Sequence, residues 1–144
     1  MPDYTSIINL IIAFLLGGVI GWVREKEGKI AGLRTHILVA LGAALFMVIS
    51  AEMMGKSGIA DPGRIAAGVA TGIGFIGAGC IVQGGGGVRG ITTAASIWVT
   101  AAVGMAAGSG SYATALTATV ITLITLQLLR ELERKIIKTK GHEE

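Results

Sequence analysis

Charge is scarce in this chain. Asp, Glu, Lys and Arg make up 15% of its 144 residues, where a soluble domain carries about a quarter. A single cysteine excludes a disulfide framework and a multi-cysteine zinc site. Proline is rare, at two residues, and low charge with 52% hydrophobic residues excludes a disordered chain. The 23 glycines follow no three-residue period, which excludes a collagen. With a mean hydropathy of +0.73, the class that remains is an integral membrane protein of one domain.

The charges are missing in long stretches. There are 20 uncharged residues between Asp3 and Arg24, 17 between Arg34 and Glu52, 24 from Ile65 to Val88 and 40 from Gly90 to Leu129. A bilayer core of about 30 Å takes about 20 apolar residues per helix. The first three stretches therefore hold one span each. The fourth holds two, divided at Gly108-Ser109-Gly110-Ser111, which reads as a tight turn. The expected fold is an all-α bundle of five transmembrane helices near residues 6–23, 35–54, 64–83, 92–108 and 112–129. The first stretch has Asp3 before it, basic Arg24 and Lys26 after it and no small-residue cleavage site, so it reads as a retained helix rather than a signal peptide.

Five spans put the loops 24–34 and 84–91 and the tail 130–144 on one side, with ten lysines and arginines against two, Lys56 and Arg64, on the other. The positive-inside rule then places the carboxyl terminus in the cytoplasm and the amino terminus outside. This accounts for the net charge of +3 without a nucleic-acid partner. In the tail, Leu129, Leu132, Ile136 and Ile137 share one helical face beside a basic one. That pattern suits either a helix running on along the membrane surface or a solvated charged end.

Small residues dominate the spans. Gly17 and Gly21, and again Gly68 and Gly72, form G-x-x-x-G pairs that allow close helix approach. Leucine at Gly17 or Gly21 is expected to weaken association between copies, a dimer being the favoured assembly. The fourth helix, small nearly throughout, is expected to be surrounded by the others. The fifth carries Thr114, Thr117, Thr119, Thr122 and Thr125, whose hydroxyls are expected to bond back to their own helix. Gly72, Gly74 and Gly77 satisfy the G-x-G-x-x-G string, but within an apolar span this is a false positive for a dinucleotide site. With Gly79 they indicate a tightly packed or irregular helix, tolerated where it is buried or lines a wet cavity.

Two polar groupings remain. Asp61-Pro62-Gly63-Arg64 reads as an aspartate cap with proline at the first helical position, and Arg64 is placed to pair with Asp61 or Glu52 as an outer rim. At the other end Arg24, Glu25, Arg34 and Arg89 gather with Thr92 and Thr93 at the start of the fourth helix. This rim is the candidate site for an anionic headgroup, a ligand or a partner's loop, the alternative being plain anchoring by basic side chains. His36, His142 and Cys80 form no catalytic constellation, and no carboxylate lies near a span midpoint. The chain is expected to be no enzyme and to need no cofactor; a metal site is left open.

Arg24-Glu25 with Ala31-Gly32-Leu33-Arg34-Thr35-His36 resembles the first signature of the MgtC/SapB family of bacterial membrane proteins. Asp61 to Ala67 with Gly72 to Gly79 resembles the second, and Val88 to Ala102 the third. Many members carry an acidic residue where this chain has Val23 and glutamine where it has Gly68. Long members add a soluble domain after the last span, so the chain resembles the membrane domain alone. The resemblance implies an inner-membrane protein of magnesium or ion homeostasis, linked in pathogens to survival in host cells. Its mode is either contact with a membrane partner such as the rotary ATP synthase, or transport between the third and fourth helices.

Overall fold

A computed structural model describes residues 4–57, 61–84 and 87–131. Five helices account for 83% of the structure: α1 (Tyr4–Lys26), α2 (Leu33–Ser57), α3 (Pro62–Ala78), α4 (Ile91–Gly108) and α5 (Tyr112–Ile124), the last continuing through a π turn at Thr125–Leu129. α1, α2, α4 and, counted with its continuation to Leu129, α5 are long and apolar enough to cross a membrane. Large apolar side chains such as Ile11, Phe14, Phe46, Phe75 and Leu116 lie exposed on the bundle, as a lipid solvent allows.

α4 is the axis. It touches α1, α2, α3 and α5, and it buries Ile97, Ala101, Val103 and Ala107. Its small residues let neighbouring backbones close in. A methyl group added at Gly104 would lie 2.8 Å from Cα of Ala40, and one at Gly108 2.7 Å from Cα of Ala44. Glycine and alanine thus alternate in register along the α2–α4 seam.

Gly17 and Gly21 serve the same purpose between α1 and α2. A methyl at Gly17 would sit 2.6 Å from the Ala40 methyl, and one at Gly21 2.8 Å from Cα of Leu33. This corrects their expected role: the pair is spent inside the chain, so leucine there would break the fold before it reached any second copy.

α3 departs from its expected end at residue 83. It stops at Ala78, where the Cys80 and Ile81 amides fold back onto the Gly77 and Ala78 carbonyls at 3.0 Å each. Glycine-rich chain follows and turns into a short antiparallel hairpin, β1 (Val82–Gly84) and β2 (Gly87–Arg89), pairing Val82 with Arg89. Gly90 closes it at φ 90° against the Cys80 carbonyl, a position with no room for a Cβ. The all-α expectation is thus amended by one hairpin in what was read as loop.

Other local expectations hold. Asp61 caps α3, its Oδ1 accepting from the Gly63 amide at 2.8 Å. The turn between α4 and α5 falls at Ser109–Ser111, with Gly110 at φ 78°. Thr119, Thr122 and Thr125 each donate to the carbonyl four residues back, at 2.7 to 2.8 Å. The amphipathic tail, beyond Glu131, lies outside the described residues.

Candidate functional site

Where α1 ends, α4 begins and α5 ends, a cavity of about 740 Å³ opens, lined among others by Arg24, Glu27, Lys29, Thr92, Thr93 and Arg130. Arg24 is its innermost charge, with 2% of its side chain exposed. It donates from Nη2 to Thr93 Oγ1 at 2.8 Å and from Nη1 to Glu27 Oε2 at 3.3 Å. Glu27 in turn pairs with Arg130 at 2.9 Å, so one carboxylate joins the ends of α1 and α5. The Nε of Arg24 is buried without a partner among the described residues.

A second polar layer lies against the first. His36, fully buried, approaches the Gly32 carbonyl through Nδ1 at 2.8 Å and Ser96 Oγ through Nε2 at 3.1 Å. A carbonyl only accepts, so Nδ1 carries a proton and donates it to Gly32. The Ser96 hydroxyl donates its one proton to the Thr93 carbonyl at 2.8 Å. Thr93 therefore joins both layers: its side chain takes Arg24 and its carbonyl faces Ser96.

Of the rim residues expected from sequence, the cavity unites Arg24, Thr92 and Thr93. Glu25, Arg34 and Arg89 are exposed and do not line it. Glu25 has a structural task, its Oε2 accepting the Leu33 amide at 2.9 Å at the start of α2. Its carboxylate fills the space where Gly32 has no side chain. Arg34 makes no hydrogen bond or ion pair among the described residues. Sequence reasoning missed Glu27, Arg130, His36 and Ser96. Glu27 and Arg130 had no spacing signal, being over a hundred residues apart.

The outer rim does not assemble as expected. Asp61 is occupied as a cap, Glu52 is exposed, and Arg64 forms no ion pair among the described residues. Arg64 instead stands at a second cavity, about 590 Å³, between α2 and α3. Gly42, Gly68 and Gly72 line it, with Phe46, Ile65 and Ile73 among its apolar walls. A methyl at Gly68, Gly72 or Gly74 would meet no described atom within 4 Å, whereas one at Gly77 would lie 3.5 Å from the Ala94 methyl of α4 and one at Gly79 3.3 Å from the Ile76 carbonyl. The open face of α3 thus looks away from α4. Among the described residues no three His, Cys, Asp or Glu side chains group as a metal cage would require.

Buried polar groups also lock the far end of the bundle. Asn9 donates to the Gly108 carbonyl at 2.8 Å and accepts from Tyr112 Oη at 2.6 Å, tying α1 to the α4–α5 turn.

Comparison with known proteins places these features in context. The MgtC family model matches residues 10–135. YhiD of Escherichia coli (strain K12), named as a proposed magnesium transporter, is 45% identical over 141 residues, covering 94% of this chain and 66% of its own length. Protein MgtC of Salmonella typhimurium (strain LT2) is 47% identical over 136 residues, covering 94% and 57%. Protein MgtC of Brucella abortus (strain 2308) is 49% identical over 120 residues, covering 83% and 49%. The chain thus spans from 49% to 66% of the length of these relatives. No solved structure matches it.

Proposed function

The chain belongs to the MgtC family, and from that premise we propose a bacterial inner-membrane protein of magnesium or ion homeostasis that is no enzyme and acts through helix contacts with a membrane partner. The observation that carries this is the α2–α3 cleft. Its floor is glycine, its walls are apolar, and Thr35 and Arg64 are the polar side chains in its lining. Magnesium binds oxygen ligands in near-octahedral geometry and gives up its water reluctantly, so such a surface suits an apolar helix better than a hydrated cation. The partner is a second copy of the chain, in a dimer, or another membrane protein such as the rotary ATP synthase.

Gly68→Leu and Gly72→Leu test the reading, because both add bulk to the cleft at positions where a Cβ meets no described atom within 4 Å. Each variant is expected to reach the membrane in normal amount, to stay folded, and to lose most support of growth in low magnesium. Normal growth with both would sink the helix-contact proposal. The transporter reading keeps its support from the name of the YhiD relative. Magnesium uptake by liposomes holding the purified chain would favour it.

We also propose five spans with the amino terminus outside, on the ten-to-two division of basic residues. In a Cys80→Ala background, an impermeant thiol reagent should label Ser111→Cys from outside intact cells and leave Ile30→Cys unlabelled. Both positions are exposed, so equal labelling would remove the five-span topology.

A further inference from the structure

We propose that the cavity at the meeting of α1, α4 and α5 binds a phosphate-bearing anion, with Arg24 as the deep ligand and Lys29 and Arg130 at its mouth. The inference is independent of the α2–α3 cleft. It begins with charge: the lining holds three cations, Arg24, Lys29 and Arg130, against one carboxylate, Glu27. An excess of positive charge in a cavity with apolar walls draws an anion more strongly than the same charges spread on a surface.

Donors are also left over. α4 runs for 18 residues from Ile91, and its cap residue, Gly90, offers no side chain to the first amides. The first hydrogen bond into the helix goes from the Ala94 amide to the Gly90 carbonyl at 2.9 Å. The amides of Ile91, Thr92 and Thr93 therefore begin the helix without intrahelical acceptors, and those three residues line the cavity. The positive end of the helix dipole points to the same place.

Arg24 supplies the independent sign. An arginine has five N–H donors; Arg24 uses Nη1 on Glu27 and Nη2 on Thr93, while Nε has no acceptor among the described residues. Its side chain is only 2% exposed. A buried donor without a partner costs free energy, about 1–3 kcal/mol for a neutral group and more for a charged one. Nε is closed off as the structure stands, so a phosphate oxygen reaches it only once Glu27 gives way, and the planar fork of guanidinium then suits phosphate geometry. Glu27 then acts as the resident competitor, holding Arg24 at 3.3 Å and Arg130 at 2.9 Å until an anion takes its place.

Two sources share this chemistry: free phosphate, and the phosphate of an acidic lipid headgroup. The experiment uses the purified full chain in two arms. Inorganic phosphate is titrated by calorimetry in mild detergent. Separately, nanodiscs of phosphatidylcholine with and without phosphatidylglycerol are compared for lipid retained by the protein in native mass spectrometry.

Binding in the detergent arm identifies free phosphate, and selective retention of phosphatidylglycerol identifies the headgroup; either supports the site. Arg24→Lys keeps the charge but loses the fork, and should weaken binding about ten-fold. Arg130→Gln, at the exposed mouth, should weaken it about five-fold. Glu27→Gln removes the competitor and should tighten it by a similar factor. The Arg130 and Glu27 variants keep the test decisive if Arg24→Lys does not fold. No binding in either arm overturns the proposal. So does binding that Arg130→Gln and Glu27→Gln leave unchanged.

Discussion

Alanine at Gly104 should destabilise the protein by about 2–3 kcal/mol, and leucine there should prevent stable folding. The expectation runs against helix propensity, by which glycine to alanine gains about 1 kcal/mol in a helix interior. Packing decides the sign. The added methyl would lie 2.8 Å from Cα of Ala40 and still closer to its carbonyl oxygen. Those are backbone atoms of a neighbouring helix, which cannot swing aside as a flexible side chain can. Overpacking a tight core costs about 1–3 kcal/mol when side chains give way, and here the two helix axes must separate. Gly72→Ala is the control on the same chemistry. Its methyl meets nothing within 4 Å, so propensity acts alone and stability should rise by up to about 1 kcal/mol. Unfolding in mild detergent, followed by circular dichroism, reads both. A Gly104→Ala protein as stable as wild type would mean that α2 and α4 are not held by this seam.

His36→Ala should cost about 2–4 kcal/mol, in the range of large-to-alanine substitutions in packed interiors. Packing rather than hydrogen bonding should account for most of it. The ring is fully buried where α1, α2 and α4 meet, and its Cβ lies 3.0 Å from where a Gly21 methyl would stand. Its removal leaves a void beside two helices that already touch through glycine and cannot collapse further. The bond to Ser96 at 3.1 Å is a smaller matter, since interhelical hydrogen bonds in membrane proteins average about 0.6 kcal/mol. Ser96→Ala should therefore cost under about 1 kcal/mol, and a double-mutant cycle should return a coupling near 0.6 kcal/mol. Equal losses for the two single variants would show that the polar layer, not the packed ring, holds this junction.

Both expectations turn on partners that lie far away in sequence. The G-x-x-x-G spacing at Gly17 and Gly21 marks a close-approach face, yet the same spacing at Gly68 and Gly72 occurs where a Cβ would meet no described atom within 4 Å. Spacing places residues on one side of a helix but carries no information about what lies opposite. At the candidate rim, sequence reasoning grouped Arg24 with Glu25, Arg34, Arg89, Thr92 and Thr93 because all lie at helix ends on one side. The structure keeps Thr93 on Arg24, leaves Glu25, Arg34 and Arg89 outside the cavity, and adds Glu27 and, through it, Arg130.

The sequence by itself determined the class and the helices. Long uncharged stretches have no stable alternative in lipid to closed backbone hydrogen bonding, and glycine, serine, aspartate and proline end and start helices through local geometry. Those are effects within a few residues, so they can be read along the chain. Tertiary structure decided which small faces are consumed and which stay open, and which charge is buried. It also put the hairpin at the end of α3, where Gly90 must pass the Cys80 carbonyl. Each of these depends on the relative placement of helices, which side-chain volume sets by excluding some approaches and admitting others.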